Sequence, residues 1–165
     1  MLLARRPDLA TVTSWTTREP RRGDGSGKSY EYVRREDFER LRTAGGFLEW
    51  AEVHGELYGT PRDAVARLLA DGRTVFLEID VQGAQQVKRH YPAALTIFIE
   101  PPSWEELEER LTKRGTEDPA GLKVRLATAR RELEEAVHFD RRVVNDQVEQ
   151  AVAEVDRILG AAPTR

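Results

Sequence analysis

Two carboxylates follow directly on a short apolar run of the chain. Glu78 and Asp80 come after the β-branched and aromatic residues 74–77, and a helical pattern begins at Gly83. The composition of the run predicts a strand buried on both faces of a parallel sheet. Ligands of open α/β sheets bind beyond the carboxyl ends of the strands. The two acids therefore either face a cation or polar ligand or, as the alternative, reach solvent where the strand ends.

A second group of candidates combines arginines with tyrosines. Arg18 and Arg21 lie in a loop rich in Arg, Gly and Asp, and Tyr30 and Tyr58 lie in strand-like segments beyond it. Guanidinium forks together with phenol hydroxyls suit a phosphate group. The alternative is a solvated basic loop, which is the usual place of clustered arginines.

Glu49 lies in an alternating segment, where an acid could point into a pocket. A carboxylate there could accept two hydrogen bonds from the N1–H and 2-amino groups of a guanine base, and the Thr60 hydroxyl could bond guanine O6. Each residue taken alone is more often structural than functional.

Three further arginines flank a polar loop at residues 113–121, and they are Arg110, Arg114 and Arg125. A helix–loop–helix with arginines on both sides is typical of a lid that closes over anionic phosphates. The alternative is a set of solvent-facing arginines, with Glu106 pairing Arg110 at a spacing of four residues.

Residues 23–29 end in Gly-Lys-Ser, as a phosphate-binding P-loop does. The pattern fails because Arg22 stands where the first glycine belongs, and because a strand-like segment, not a helix, follows at Tyr30. We interpret the segment as a turn-rich loop.

The elements that must position these residues alternate between strand and helix from Thr60 onward, which predicts βαβ units and a parallel sheet. A strand is expected at 11–14, and residues 14–60 predict a small β-rich insertion. Within it we expect a short helix at 36–41 with Phe38 and Leu41 inward and a hairpin that returns over 55–59, and Ser103 with Glu106 predicts a capping box on a later helix. Thr60 is expected to cap a helix that starts at Pro61. The predicted buried stripes are Val65, Leu68 and Leu69 on that helix, and Val148, Val152, Val155 and Leu159 on the last one.

The composition limits the class of protein. The chain has 165 residues, of which 33% are charged, and a net charge of −3, which argues against a general nucleic-acid or membrane-surface role. The absence of cysteine excludes disulfides and thiolate metal sites. No apolar run approaches the ~20 residues of a membrane span. We expect a single domain in the cytoplasm.

Seven separated motifs resemble those of one family. Residues 14–24 read Ser-Trp-Thr-Thr-Arg-Glu-Pro-Arg-Arg-Gly-Asp and, with Gly27 and Tyr30, resemble the guanylate kinase signature S-x-T-T-R-x-P-R-x-G-E…G…Y. The others follow in family order: Phe-Leu-Glu-Trp-Ala at 47–51, Tyr-Gly-Thr at 58–60, Leu-Glu-Ile-Asp-Val-Gln-Gly at 77–83, Pro-Pro-Ser at 101–103, Arg-Gly-Thr at 114–116 and Val-Asn-Asp at 144–146.

The resemblance implies an α/β fold of the P-loop NTPase type, with a parallel sheet flanked by helices. It implies one domain over 1–165, with a mixed-β GMP-binding insertion at 14–60, a core at 61–112 and 131–165, and a helical lid at 113–130. The implied reaction transfers the γ-phosphate of ATP to GMP, giving GDP, with Mg²⁺. The implied partners are GMP and ATP, with no nucleic acid or membrane, and the protein would be a monomer or homodimer.

The resemblance also implies residue roles. Guanine or its polar surroundings would contact Ser14, Glu49 and Thr60, and the GMP phosphate would contact Arg18, Arg21, Tyr30 and Tyr58. The GMP side would also include Asp24, Glu78, Asp80 and Gly83, with Asp80 as a possible metal ligand. ATP would contact Arg110, Arg114 and Asn145. Charge on the transferred group would be neutralised by Arg18, Arg110, Arg114 and Arg125.

The sequence also departs from the family pattern. Guanylate kinases carry a strand and a true P-loop before the point that matches Met1, so we expect an N-terminally truncated kinase with little turnover of its own. The alternative is a non-catalytic module that binds GMP or a phosphopeptide, although the lid arginines speak against it. Asp24 replaces a glutamate, and Trp15 replaces a small residue and is expected to crowd the loop.

Overall fold

The computed structural model describes residues 1–20, 24, 30–114 and 119–161, except for the side chain of Arg114. It divides the chain into two compact units. The N-terminal unit is Leu3–Ala94, and the C-terminal unit is Leu95–Arg165 together with Met1–Leu2. The predicted core segment 61–112 has residues in both units, and the division into insertion, core and lid stays a prediction.

The elements follow one another along the chain. The first part contains α1 Leu2–Arg5, β1 Leu9–Thr11, β2 Ser14–Thr16, β3 Tyr30–Tyr32, α2 Arg35–Thr43, β4 Phe47–Val53, β5 Glu56–Pro61, α3 Arg62–Ala70, β6 Thr74–Phe76 and α4 Val81–His90. The second part contains β7 Ile97–Glu100, α5 Trp104–Arg114, α6 Pro119–Glu135, a 3₁₀ turn at Ala136–His138, β8 Arg141–Val144 and α7 Val148–Ala161.

A four-stranded mixed sheet forms the β-rich part of the N-terminal unit, in the order β3-β2-β5-β4. Strands β2 and β3 are parallel, and the other pairs are antiparallel. The β4–β5 hairpin turns at His54 and Gly55, where both φ angles are positive (54° and 83°). Two positive φ angles in a two-residue loop match the twist of the flanking strands, so the predicted hairpin is confirmed.

Aromatic residues build the core behind this sheet. Phe38 of α2 is fully buried and stacks on Phe47, with ring centroids 4.3 Å apart. Leu57 completes the cluster. The ring of Trp15 packs edge-on against Phe47 at 5.9 Å, because the core supplies an aromatic surface that receives it. Most of the loop that Trp15 is expected to crowd lies outside the described residues.

A two-stranded parallel sheet forms the second layer of the N-terminal unit, in which β1 pairs with β6 from Leu9↔Thr74 to Thr11↔Phe76. The strand expected at 11–14 is wrong, since β1 ends at Thr11 and β2 starts at Ser14. The expected full burial of β6 is also wrong: Val75 and Phe76 are half-buried and Thr74 is exposed.

Helix α3 packs on this sheet, but it buries fewer of its apolar residues than the sequence pattern predicts. Val65 is buried with Leu48 of β4 and Val87 of α4, whereas Leu69 is 40% exposed. The helix is only nine residues long. Its contact face therefore centres on a single turn.

The C-terminal unit pairs β7 with β8 in parallel, from Ile97↔Arg141 to Glu100↔Val144. Val143 is buried against Ala151, Val155 and Ile158 of α7. The predicted stripe of α7 was therefore wrong at Val148, which is 52% exposed, because the buried face begins one turn later.

Helices α5 and α6 carry the predicted lid. The backbone N–H of Glu106 donates to Ser103 Oγ at 3.1 Å, which confirms the cap predicted for α5. The Arg130 guanidinium lies 4.7 Å from the Trp104 ring centroid and joins α6 to α5. None of the helices in the described ranges is long and apolar enough to cross a membrane.

Candidate functional site

Three polar side chains of the N-terminal unit form one hydrogen-bonded chain. The Thr60 hydroxyl donates to Glu49 Oε1 at 2.5 Å, and the Ser14 and Thr60 hydroxyl oxygens are 3.1 Å apart. Thr60 has one proton, which it gives to Glu49, so the Ser14 hydroxyl must donate to Thr60. Glu49 is 5% exposed and Thr60 is fully buried. The family resemblance assigns these three residues to guanine or its polar surroundings, and the structure brings their side chains together.

The position of Thr60 corrects the expected helix cap. Thr60 and Pro61 belong to β5, and α3 begins at Arg62. Thr60 pairs directly with Glu49 across the sheet. Its hydroxyl therefore serves a carboxylate, and a charge-assisted hydrogen bond of this kind is stronger than a neutral cap.

An irregularity in β4 aims Glu49 at this network. The register shifts between Phe47 and Glu49, so that two steps along β4 oppose one step along β5. A bulge interrupts the alternation of side chains. Phe47 and Trp50, three residues apart, consequently pack in the same aromatic cluster, while Leu48 packs towards α4. Plain alternation, on which the sequence interpretation relied, misses this bulge.

The surroundings of Glu49 disfavour its charged form. Burial raises the pKa of the Glu49 carboxyl, and the nearby charge of Asp80 raises it further, although the Thr60 hydrogen bond acts in the opposite direction. A buried carboxylate in this state gains stability from a ligand that supplies hydrogen-bond donors.

Replacing Glu49 with glutamine should stabilise the ligand-free protein at neutral pH. Because the folded-state pKa of Glu49 is raised, the wild-type protein loses stability as pH rises from the ordinary carboxyl value of 4.5 through the folded-state value. The variant lacks this loss, so its advantage should grow over the same interval to about 1–3 kcal/mol. Urea unfolding of both proteins between pH 4 and 8 measures the difference. A difference that stays constant with pH would contradict the assignment.

Arg18 and the tyrosines form a second group in the same unit. The side chain of Arg18 is 12% exposed, and its Nη1 lies 3.0 Å from Asp24 Oδ2. The guanidinium carbon is 5.9 Å from the Tyr30 ring centroid, and the Tyr30 and Tyr58 rings meet edge-on at 5.7 Å. Arg18, Tyr30 and Tyr58 are therefore neighbours, as predicted, whereas Arg21 lies outside the described residues.

Tyr32 belongs to this group although the sequence interpretation omitted it. Its hydroxyl donates to Asp24 Oδ2 at 2.8 Å, and its ring centroid lies 5.7 Å from the Arg18 guanidinium. The available signal was its spacing of two residues from Tyr30, which puts both rings on one face of a strand. Asp24 thus holds both Arg18 and Tyr32.

Burial raises the pKa of the Tyr30 hydroxyl, and the charges of Tyr58 and Glu78 add to this effect. Tyr30 is therefore protonated at neutral pH and available as a donor. Glu78 itself is exposed, and its charge is one of the causes that raise the pKa of Tyr30.

Asp80 has a structural task that the sequence interpretation missed. Its Oδ1 accepts the backbone N–H of Gly83 at 2.7 Å, so Asp80 is the N-cap of α4. Within the part of the chain that the structure describes, no group of three or more His, Cys, Asp or Glu is placed to hold a metal ion. The described residues therefore do not form a resident metal site around Asp80.

The C-terminal unit brings two of the predicted ATP residues together. Arg110 Nη1 donates to the backbone carbonyl of Asn145 at 2.8 Å and Nη2 to that of Asp146 at 3.4 Å. Arg110 Nε also pairs with Glu106 at 2.9 Å, as the structural alternative required. Arg125 is half-buried on α6, and the side chain of Arg114 lies outside the described residues.

Replacing Arg110 with methionine should loosen the 145–146 segment. The change removes two hydrogen bonds to backbone carbonyls and one ion pair, and it should lower stability by about 1–2 kcal/mol. The control is Lys113→Met on the same helix, where an exposed pair with Glu109 is lost and a change within about 0.5 kcal/mol is expected. Thermal unfolding measures both. Equal effects would mean that the backbone contacts of Arg110 contribute nothing.

Comparison with known proteins shows which family the chain resembles in sequence and fold. The sequence profile described as guanylate kinase matches residues 1–162. The guanylate kinase of Corynebacterium jeikeium is 48% identical over 93% of this chain and 82% of its own length. That of Cutibacterium acnes is 50% identical over 96% of this chain and 80% of its own. The crystal structure of the Anaplasma phagocytophilum guanylate kinase superposes with a TM-score of 0.83 at 32% identity, covering 99% of this chain and 82% of the other.

The mixed α/β fold, with its parallel sheets and flanking helices, is that of a nucleoside-monophosphate kinase. The profile and the relatives narrow the class further, because they agree over almost the whole chain. The chain belongs to the guanylate kinase family.

Proposed function

We propose that this protein transfers the γ-phosphoryl group of ATP to GMP, giving ADP and GDP, with base and phosphate of GMP bound by the residues of the N-terminal unit. The observation that carries the proposal is the buried Glu49–Thr60–Ser14 chain in the same unit as the Arg18 and tyrosine group. A buried acid selects a base with donors, and an arginine among phenols selects an anion.

Guanine recognition rests on Glu49. Its carboxylate accepts the N1–H and 2-amino groups of the base, which compensate for the burial that raises its pKa. In the ligand-free structure the single proton of Thr60 points to Glu49. A bond from Thr60 to guanine O6 therefore requires this hydroxyl to turn once the base has supplied Glu49 with donors.

Phosphate binding rests on Arg18 with the hydroxyls of Tyr30 and Tyr58, and on Arg21 from the sequence. Asp24 pairs with Nη1 of Arg18 and fixes the orientation of the guanidinium plane. An oriented guanidinium binds phosphate with less loss of side-chain freedom. The phosphate of GMP is then held as the nucleophile for an in-line transfer.

ATP binding rests on residues of the C-terminal unit. Arg110, Arg114 and Asn145 contact the nucleotide, and Arg110, Arg114 and Arg125 neutralise the charge that develops on the transferred group. Catalysis is by position and electrostatics without a covalent intermediate. A Mg²⁺ ion brought by ATP would neutralise phosphate charge, and Asp80 would offer it the oxygen that does not cap α4. The protein acts in the cytoplasm as a monomer or homodimer, independently of nucleic acid and membrane.

The test is ATP-dependent formation of GDP by the protein, with GMP, IMP and AMP compared as acceptors. GMP should be used in preference to both others, because IMP lacks the 2-amino group and AMP presents the wrong base edge to Glu49. Binding of GMP without any turnover would support the non-catalytic module instead. Equal use of AMP and GMP would overturn the proposed base recognition.

A further inference from the structure

At the outer edge of β4, a side chain rather than a neighbouring strand bonds the backbone of one residue. Strand β4 is at the end of the sheet order, so alternate backbone groups face away from β5. At Trp50 both outward groups are bonded to Gln86 of α4: the N–H donates to Oε1 at 3.2 Å, and Nε2 donates to the carbonyl at 2.6 Å. The amide of Gln86 thus takes the place of a neighbouring peptide group.

Gly83 lies one turn before Gln86 on the same face of α4 and gives room to Glu49. A Cβ at position 83 would stand 2.5 Å from Glu49 Oε2 and 3.2 Å from its Cδ, closer than atoms approach one another without a shift. Any other residue at 83 must therefore displace the Glu49 carboxylate. Glu49 cannot yield easily, because its other oxygen is bonded to Thr60.

The two contacts constrain one carboxylate from both sides. Gln86 fixes the β4 backbone at Trp50, the residue directly after Glu49. Gly83 sets how close the Glu49 side chain lies to α4. The packing of Leu48 against Val87 holds the same helix on the same strand. The position of Glu49 is thus set by α4 as well as by the sheet.

We propose that Gln86 and Gly83 are positioning residues that determine the preference for guanine by fixing the carboxylate of Glu49. The inference rests on the proposed function. A displacement of Glu49 by a fraction of an ångström affects the two hydrogen bonds to N1–H and the 2-amino group unequally. The bond to the 2-amino group is absent in a hypoxanthine nucleotide, so the preference for GMP over IMP reports the position of Glu49 directly.

The first test replaces Gln86 with methionine, which has a similar length but cannot bond Trp50. Gln85→Met is the control, since it makes the same chemical change at the exposed neighbouring position of α4. Affinities for GMP and IMP are measured by equilibrium titration, so the readout does not depend on turnover. We expect Gln86→Met to weaken GMP binding about tenfold and IMP binding less than about twofold. Gln85→Met should leave both affinities unchanged.

The second test replaces Gly83 with alanine and seeks a rescue. The added methyl group should displace Glu49 and reduce the GMP/IMP preference about tenfold. Shortening the acid in the pair Gly83→Ala with Glu49→Asp removes the clash, so the double variant should prefer GMP more strongly than the Gly83→Ala variant does. Circular dichroism checks folding, and if Gly83→Ala fails to fold, the Gln86 pair decides the question.

The outcomes distinguish the proposed recognition of guanine from the positioning role of Gln86 and Gly83. A wild-type protein that binds IMP or AMP as tightly as GMP would refute the proposed base recognition. A wild-type preference for GMP that Gln86→Met leaves intact would refute only the positioning role. Equal weakening of GMP and IMP binding by Gln86→Met would also refute it, because a purely structural role affects both nucleotides alike.

Discussion

Replacing Arg18 with methionine is expected to lower kcat/KM for GMP by about 10²–10³-fold, the equivalent of removing one partner of a buried, hydrogen-bonded charge pair. The Arg18 side chain is 12% exposed, and its guanidinium lies over Tyr30 and Tyr32 and is oriented by Asp24. Methionine keeps much of the apolar volume but offers the phosphate no donor. The KM for ATP should change by less than about twofold, since ATP contacts other residues.

Titration with guanosine separates phosphate binding from general damage to the unit. Guanosine lacks the phosphate, so its affinity should be the same in wild-type protein and in the Arg18→Met variant. The control is Arg40→Met on α2, because the Arg40 side chain is 75% exposed and pairs with Asp37 on its own helix. If Arg18→Met weakens guanosine and GMP equally, Arg18 does not bind the phosphate.

Replacing Glu49 with glutamine should have a comparable effect on the base. The amide group is isosteric but places a donor against a donor of guanine, so kcat/KM for GMP should fall about 10²–10³-fold. The preference for GMP over IMP should be largely lost. The same change stabilises the ligand-free protein at neutral pH, so activity and stability should move in opposite directions.

The pH dependence of GMP binding also tests whether the Glu49 carboxylate binds the base. The pKa of Glu49 is raised by burial, so its carboxylate takes up a proton at a higher pH than an exposed one would. GMP affinity in the wild-type protein should therefore fall as pH decreases through that raised pKa, while the Glu49→Gln variant shows no such step. Glu52→Gln on the same strand is the control. Glu52 is 55% exposed, and its ion pair with Arg35, at 3.7 Å, lies at the surface, where such pairs contribute little. A loss of the step in the control alone would contradict the role of Glu49.

Local patterns predicted the elements that depend on local physics. The β4–β5 hairpin, α2 with Phe38 inward and the Ser103 cap of α5 all followed from alternation, periodicity and cap chemistry. The burial of whole faces did not follow. Leu69 and Val148 belong to apolar stripes but are exposed, because packing partners, which lie far away in sequence, decide which turn of a helix is covered.

The residues whose side chains would contact the ligand could be predicted from the sequence, whereas the residues that hold them in position could not. Ser14, Glu49 and Thr60 were singled out together and form one network. Gln86 was not, because in the sequence it resembles its exposed neighbour Gln85, and its bonds to Trp50 join positions 36 residues apart. The register shift in β4 was also missed, because two consecutive apolar residues such as Phe47 and Leu48 are equally compatible with a strand buried on both faces.

Asp80 illustrates a signal that was present but assigned to another purpose. An aspartate directly before a helix is typical of an N-cap, and Asp80 indeed accepts the backbone N–H of Gly83, three residues further on. The expectation of a cation-facing acid competed with this simpler interpretation. Capping uses one of its oxygens, which limits any contribution to a metal carried by ATP.

Equilibrium titration of the protein with GMP, guanosine and AMP under identical conditions tests the proposed GMP site most directly. The proposed site predicts that GMP binds most tightly, that guanosine binds about 100-fold more weakly for want of the phosphate, and that AMP binds more weakly still. Guanosine binding as tight as GMP would contradict the role of Arg18 and the tyrosines. AMP binding as tight as GMP would contradict the role of Glu49.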